Sequence, residues 1–253
     1  MDPTPVDLPA PIRFDNLARF PEVRHGVFTR KGGFSRAPYA SLNLARSVGD
    51  DPEAVGKNRA AVAAAMGSGP LCMARQVHGT DIHVVGEETD ASPPTADALA
   101  TDRPGRWLTI LAADCQPVLL YAPDRGVVAA IHSGWRGSVG NIIGRSVGFL
   151  ADHFGVDPAG VYAGIGPSLG PCCAEFIHYR RELPEAFWKY KDDGRHFDFW
   201  RLSRDQLRRA GVPDRQIETA GLCTRCRTDR FYSYRGEKTT GRFAAVIGMR
   251  SPA

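Results

Sequence analysis

Apolar residues fall into short runs separated by polar or glycine-rich breaks, and the spacing predicts alternating strands and helices. Residues 23–29 read as a first strand, closed by Arg30-Lys31-Gly32-Gly33, where paired glycines supply backbone angles that other residues resist. Residues 52–66 read as a helix: Asp50 or Asp51 caps it, Pro52 sits in the first turn and Gly67 stops it. Short strands are predicted over 82–85, 107–112, 117–121, 126–131, 161–165 and 217–219, with a break at Asp114-Cys115. Residues 141–154 have the period of an amphipathic helix. Residues 182–190 and 203–210 predict two more helices, the latter capped by Ser203 and stopped by Gly211. Residues 231–234 and 243–249 predict a hairpin around the glycines at 236–241.

This irregular alternation predicts an α+β fold of mixed sheets rather than a doubly wound parallel sheet. Residues 1–20 contain Pro3, Pro5, Pro9 and Pro11 and read as a flexible N-terminal arm; residues 21–253 read as one domain. With 253 residues, 43% of them apolar, the chain can bury a substantial core. Its formal charge of +4 comes without a long Lys/Arg block, which argues against a nucleic-acid partner. The N-terminus lacks a secretory pattern, and no run approaches the roughly 18 apolar residues of a membrane span. The expectation is a cytoplasmic monomer without a membrane partner, whose six cysteines serve as thiols, ligands or nucleophiles.

Three segments carry the candidate chemistry: Arg75-Gln76-Val77-His78-Gly79, Ala113-Asp114-Cys115, and His132-Ser133-Gly134-Trp135-Arg136-Gly137. Each sits at the end of a predicted strand, where loops gather functional groups on a rigid sheet. Singly, His78 and His132 read as structural histidines and Cys115 as a small buried hydrophobe. Together, one thiolate and two imidazoles suit a borderline-soft divalent ion with an open fourth position, although their wide separation matches no short zinc motif. The segment from His132 leads into a helix start, which favours anions, and Arg136 could add a fork for phosphate; a tight turn with a packed Trp135 reads equally well. The loop from Gly164 to Cys173 lacks the lysine of a phosphate loop, and Cys172-Cys173 receives no role. Cys223-Thr224-Arg225-Cys226 is a lone CxxC without a second pair. His25 and His83 could approach the site.

With Ser41-Leu42-Asn43-Leu44, Asn58-Arg59, Gln76-Val77-His78-Gly79, Ala96-Asp97-Ala98, Ala113-Asp114-Cys115, His132 to Gly137, Gly164-Ile165-Gly166-Pro167, Phe231 to Arg235 and Thr240-Gly241-Arg242, the chain resembles a known family. These are the laccase-domain or polyphenol-oxidase-labelled proteins, also called purine nucleoside phosphorylases and peptidoglycan editing factors. The resemblance implies zinc on His78, Cys115 and His132. It implies a layered α/β sandwich once grouped with cysteine hydrolases. It also implies phosphorolysis of adenosine, inosine and 5′-methylthioadenosine to free base and (methylthio)ribose 1-phosphate, together with adenosine deamination. Cys226 departs from the family pattern.

Phosphorolysis needs an anion beside the ribose, which Arg59, Arg75 and Arg136 could hold, with Asn43 as a further substrate contact. Deamination needs an activated water and a proton shuttle. Asp114 is the candidate shuttle, but adjacent strand residues face opposite ways, so it reaches the pocket only if the strand breaks there. Copper-dependent phenol oxidation is an alternative, since the same three ligands accept copper. The seven histidines, with no His-x-His pair, are few for a multicopper enzyme. A cysteine hydrolase with Cys115 as nucleophile and His78 or His132 as base is another. A structural zinc clip is a fourth reading.

Overall fold

The computed structural model describes residues 8–87 and 92–251. Ten strands form two sheets: β1 Val23–Val27, β2 Leu71–Cys72, β3 Ile82–Val84, β4 Ala98–Thr101, β5 Trp107–Ala112, β6 Gln116–Ala122, β7 Val127–Ser133, β8 Tyr162–Ile165, β9 Ile217–Thr219 and β10 Phe243–Met249. One sheet has the order β1-β10-β5-β2 and the other β3-β4-β7-β6-β8-β9. Both are mixed, because β2–β5, β3–β4 and β8–β9 are parallel and the remaining pairs antiparallel. The expected mixed-sheet α+β fold is what forms. The helices are α1 Asp15–Ala18, α2 Pro52–Met66, α3 Trp135–Val139, α4 Ile142–Phe154, α5 Tyr179–Glu182, α6 Phe199–Arg209 and α7 Tyr234–Glu237. Among the described residues no helix is long and apolar enough to cross a membrane.

Strand alternation explains the layering. Leu119 and Tyr121 of β6 meet Leu108 and Ile110 of β5 and Ala245 and Ile247 of β10 between the sheets. Their neighbours Val118, Leu120 and Ala122 turn the other way, onto Ile143, Val147 and Leu150 of α4. On the far side of the smaller sheet, Ala244 and Val246 pack against Val62 and Met66 of α2. Both sheets are therefore covered on both faces, which is why β6, β7 and β10 are buried along their whole length. α2 forms as predicted, with Pro52 in its first turn, Asp51 accepting from Glu53 N and Gly67 at φ 102 closing it.

Four expectations need correction. The arm reading fails for residues 12–20. Ile12 exchanges two backbone hydrogen bonds with Val27, and Phe14 and Leu17 lie in the inter-sheet core. Pro11 closes on Gly26, where a Cβ would come within 2.7 Å of its side chain. Residues 1–7 lie outside the described residues. Second, the predicted 231–243 hairpin does not form. Ser233 caps α7 by accepting from Gly236 N, and β10 pairs with β1 and β5 instead. Third, α6 begins earlier than expected: Asp198 accepts from Arg201 N, and Ser203 is buried inside the helix. Fourth, the helix expected over 182–190 splits at Leu183-Pro184, because the residue before proline is driven extended.

His25 is a core residue rather than part of a site. It stacks on Phe14, and its Nε2 accepts from Phe14 N at 2.8 Å. Burial, helped by the charge of Arg13, lowers its pKa to about 4. A group with a depressed folded pKa binds protons more readily when unfolded, so stability is lost as pH falls from about 6.5 towards 4. The loss over that interval should be about 3 kcal/mol. Urea unfolding of wild type and His25→Gln across this range should show a steeper acid decline in the wild type.

Candidate metal centre

The break between β5 and β6 falls where the sequence placed it. Asp114 takes φ 86, so the two strands are offset, and Cys115 and Asp114 both line one cavity. His132 is the penultimate residue of β7, beside Pro117 of β6. His78 comes from the loop before β3, also with positive φ, 62°. Ligand atoms of His78, Cys115 and His132 all lie within 4.8 Å of one another. The Cys115 Sγ to His78 Nε2 distance is 3.6 Å, and the two imidazoles meet edge-on at 4.9 Å between centroids.

Asp97 makes this convergence possible. Its carboxylate accepts from the backbone N–H groups of Val77, His78 and Gly79 at 3.1, 2.9 and 2.7 Å. It also holds His132 Nδ1 at 2.8 Å, leaving Nε2 for the site. The Asp97 carbonyl accepts from His132 N as well. Each charge-assisted bond contributes about 1.5–3 kcal/mol. The three amide bonds together outweigh the cost of about 1–3 kcal/mol for holding a non-glycine residue such as His78 in a left-handed conformation. Burial works to raise the pKa of Asp97, but His132 and the amides hold it below the usual carboxylate range.

Burial likewise opposes ionisation of Cys115, yet the charge and hydrogen bond of His132, with a hydrogen bond from His78, lower the thiol. His132 is pushed the other way: burial would lower it, but the Cys115 sulfur and Asp97 raise it. The sulfur is thus stabilised as thiolate, the form a metal needs.

The residues fit a metal in two respects. A tetrahedral ion about 2.3 Å from sulfur and about 2.0 Å from nitrogen sets those donors about 3.6 Å apart, the separation of Cys115 and His78. The second is Gly134, where a Cβ would lie 2.7 Å from His78 Cδ2 and 3.1 Å from Cys115 Sγ, so the two ligands close over a bare backbone. Three protein donors leave a position facing the cavity.

That cavity, about 290 Å³, is lined by the aromatic side chains Trp135, Phe176, Phe199 and Tyr234, and by Asp114, Gln116, Ser168 and Arg235. Asp114 accepts from Thr224 Oγ1 and from Arg235 N, both at 2.6 Å. The expected anion-binding residues do not converge there. Arg59 and Arg75 line a second cavity of about 400 Å³ with Arg46 and Arg242. The guanidinium of Arg136 lies over the Trp135 ring at 4.8 Å. Asn43 is fully buried and its amide is saturated: it donates to Ala45 O and Asp50 and accepts from Ala45 N and Arg242 N. It organises these loops and lies outside the lining of both cavities, although it was expected as a substrate contact. His83 lies on β3 at the sheet edge, outside the triad and the cavity lining.

Sequence reasoning assigned no role to Asp97, Gly134, Arg235 and the three aromatic residues after Trp135. Asp97 carried a usable signal, a lone acid in the apolar run Ala96-Asp97-Ala98-Leu99-Ala100, because a buried carboxylate demands partners. Gly134 sits within the His132–Gly137 segment, and Phe176, Phe199, Tyr234 and Arg235 come from segments distant in sequence from the triad. If the triad holds a divalent metal ion, Asp97→Asn should weaken its binding about 10–100-fold, measured by competition with a chromogenic chelator. Gly134→Ala should lower metal occupancy with the circular dichroism spectrum unchanged.

Comparison with known proteins gives a consistent result. A family profile described as multi-copper polyphenol oxidoreductase laccase matches residues 24–250. The chain is 36% identical over 246 residues to a protein of Geobacillus stearothermophilus named purine nucleoside phosphorylase YlmD, covering 89% of each. It is 38% identical over 253 residues to a purine nucleoside phosphorylase of Deinococcus radiodurans, covering 94% of this chain and 92% of that one. The crystal structure of YlmD from Geobacillus stearothermophilus superposes with a TM-score of 0.86 at 33% identity, over 98% of this chain and 100% of that one. That of the hypothetical protein YfiH from Bacillus licheniformis gives 0.87 at 32% identity, over 96% and 98%. The chain belongs to the multi-copper polyphenol oxidoreductase laccase family, whose relatives YlmD of Geobacillus stearothermophilus and YfiH of Escherichia coli are named purine nucleoside phosphorylases.

Proposed function

We propose that the protein is a zinc-dependent purine nucleoside phosphorylase that also deaminates adenosine. The observation that carries this reading is a three-ligand metal centre opening into a cavity walled by aromatic rings. A purine presents a flat, polarisable base, and stacking on Trp135, Phe176, Phe199 or Tyr234 would hold it without a sequence of specific hydrogen bonds. Zinc on His78, Cys115 and His132 would supply Lewis-acid polarisation and water activation near neutral pH.

The chain's own residues supply the rest. Phosphorolysis breaks the bond between ribose C1′ and the base as phosphate attacks C1′, through charge resembling an oxocarbenium ion. Arg235, on the cavity wall, holds phosphate there and takes over the role expected of Arg59 and Arg75. Arg136 reinforces the positive field through its seat on Trp135. Asp114 fixes the Arg235 backbone and presents the carboxylate that carries a proton to or from the purine. Adenosine, inosine and 5′-methylthioadenosine share the purine and ribose that this arrangement grips.

A cysteine hydrolase is the second reading. Cys115, His132 and Asp97 stand in the order nucleophile, base and orienter, and Cys115 is lowered as a nucleophile requires. Phenol oxidation by copper draws support from the family's description, and the three donors accept that ion too.

One assay separates these. Nucleosides incubated with the enzyme, with and without phosphate, should give free base and ribose 1-phosphate only with phosphate, and inosine from adenosine without it. Equal base release without phosphate would make the enzyme a hydrolase. His78→Ala should abolish both reactions, whereas full activity after exhaustive metal removal would favour Cys115 as nucleophile. Asp114→Asn should lower kcat at least about tenfold.

A further inference from the structure

The fold gathers a second set of sulfur ligands outside the cavity lining, next in the chain to its wall residues Ser168, Leu169 and Ala174. Cys172 and Cys173 lie in the loop after β8, and Cys223 and Cys226 in the turn after β9. The sequence offered only a lone CxxC and a vicinal pair without a role. In the structure the four Sγ atoms all lie within 4.8 Å of one another. Cys226 Sγ stands 3.5 Å from Cys172 Sγ and 3.6 Å from Cys173 Sγ. Four sulfurs around a tetrahedral ion at about 2.3 Å would be about 3.8 Å apart. A disulfide would bring one pair to about 2.05 Å. The observed spacing matches the former.

We infer that Cys172, Cys173, Cys223 and Cys226 form a tetrathiolate site for a single zinc ion, distinct from the centre at His78, Cys115 and His132. Four protein ligands close the coordination sphere, so this site is structural rather than catalytic. Gly170 N donates to Cys223 Sγ at 3.3 Å, the kind of backbone support that a metal-bound thiolate receives. Cys173 and Cys223 are buried while Cys172 and Cys226 are exposed, so an ion can enter from the rim. Binding exchanges thiol protons for Zn²⁺ and leaves a net charge of about −2 on the four thiolates and the ion. Arg225 and Arg227 flank Cys226 in the chain, and Arg227 is paired with Asp229.

The clip has a structural consequence for the cavity. Thr224 stands between two of the ligands, and its hydroxyl donates to Asp114 Oδ1. Thr224 N donates to Ser168 O, and Leu169 N donates to Asp114 O, so the two clipped loops carry the Asp114 wall between them. Zinc here ties both loops together by a bond set that needs no large hydrophobic core.

The test uses full-length protein, reduced and stripped of metal, then titrated with Zn²⁺ and in parallel with Co²⁺. Wild type should take up one equivalent more than Cys226→Ser or Cys172→Ser. The cobalt complex of the His78→Ala/His132→Ala variant should keep intense sulfur-to-metal charge-transfer bands, because its remaining site is all sulfur. A wild-type stoichiometry of one, with cobalt bands lost in the His78→Ala/His132→Ala variant, would overturn the inference. So would an intact mass two hydrogens short under denaturing, non-reducing conditions, with a peptide joining two of these cysteines. If the serine variants fail to fold, the cobalt spectrum of the histidine double variant alone decides.

Discussion

A single buried carboxylate carries the architecture of the metal centre. Asp97 is fully shielded from solvent, and such a charge is tolerated only when paired and hydrogen-bonded. Its partners are three consecutive amides from the His78 loop and the ring of His132. One side chain therefore fixes two ligands from separate parts of the chain. It also selects the tautomer of His132 that turns Nε2 towards Cys115. Gly134 completes the constraint by leaving no side chain between the ligands.

The sandwich makes this placement rigid. Asp97 directly precedes β4, His132 lies in β7, and Cys115 directly precedes β6. These three strands are neighbours in the six-stranded sheet, with β7 between the other two. Helices cover one face and the smaller sheet covers the other, so the strands cannot slide without exposing core on both sides. The cavity wall is built differently. Two of its aromatic residues, Phe176 and Phe199, come from the excursion between β8 and β9, where they pack with Phe197 rather than on the sheets, and Trp135 of α3 and Tyr234 of α7 complete it. A rigid sheet thus holds the metal donors, while a separate aromatic cluster shapes what can reach them.

The two cavities divide the basic residues. Arg46, Arg59, Arg75 and Arg242 surround the second cavity, and Arg235 serves the first. The loop carrying Arg75, Gln76 and His78 contributes to both. Gln76 anchors that loop by bonding both ways to the backbone of Leu111. A change at the metal centre is therefore mechanically linked to the arginine-lined side through one short segment.

The sequence alone determined the elements whose causes are local. α2 follows from Asp51, Pro52 and Gly67, β5 from a run that is apolar except at Thr109, and the break at Asp114 from polar residues between two mainly apolar runs. Cys115 and His132 were legible because each sits where a strand meets a loop, whereas His78 lies within the loop between β2 and β3 rather than at a strand end. Tertiary structure decided everything that depends on pairing distant segments. The Pro-rich N-terminal stretch reads as loose by composition, yet Phe14 and Leu17 find their burial only once the two sheets stand together. Residues 231–234 carry strand-forming side chains, but β10 had better partners in β1 and β5. Cys172 and Cys226 are separated by α5, α6 and β9, so no local pattern could announce that their sulfurs meet. Short-range sterics and hydrogen bonding write themselves into neighbouring residues, whereas burial and coordination are properties of surfaces that exist only after the chain has closed on itself.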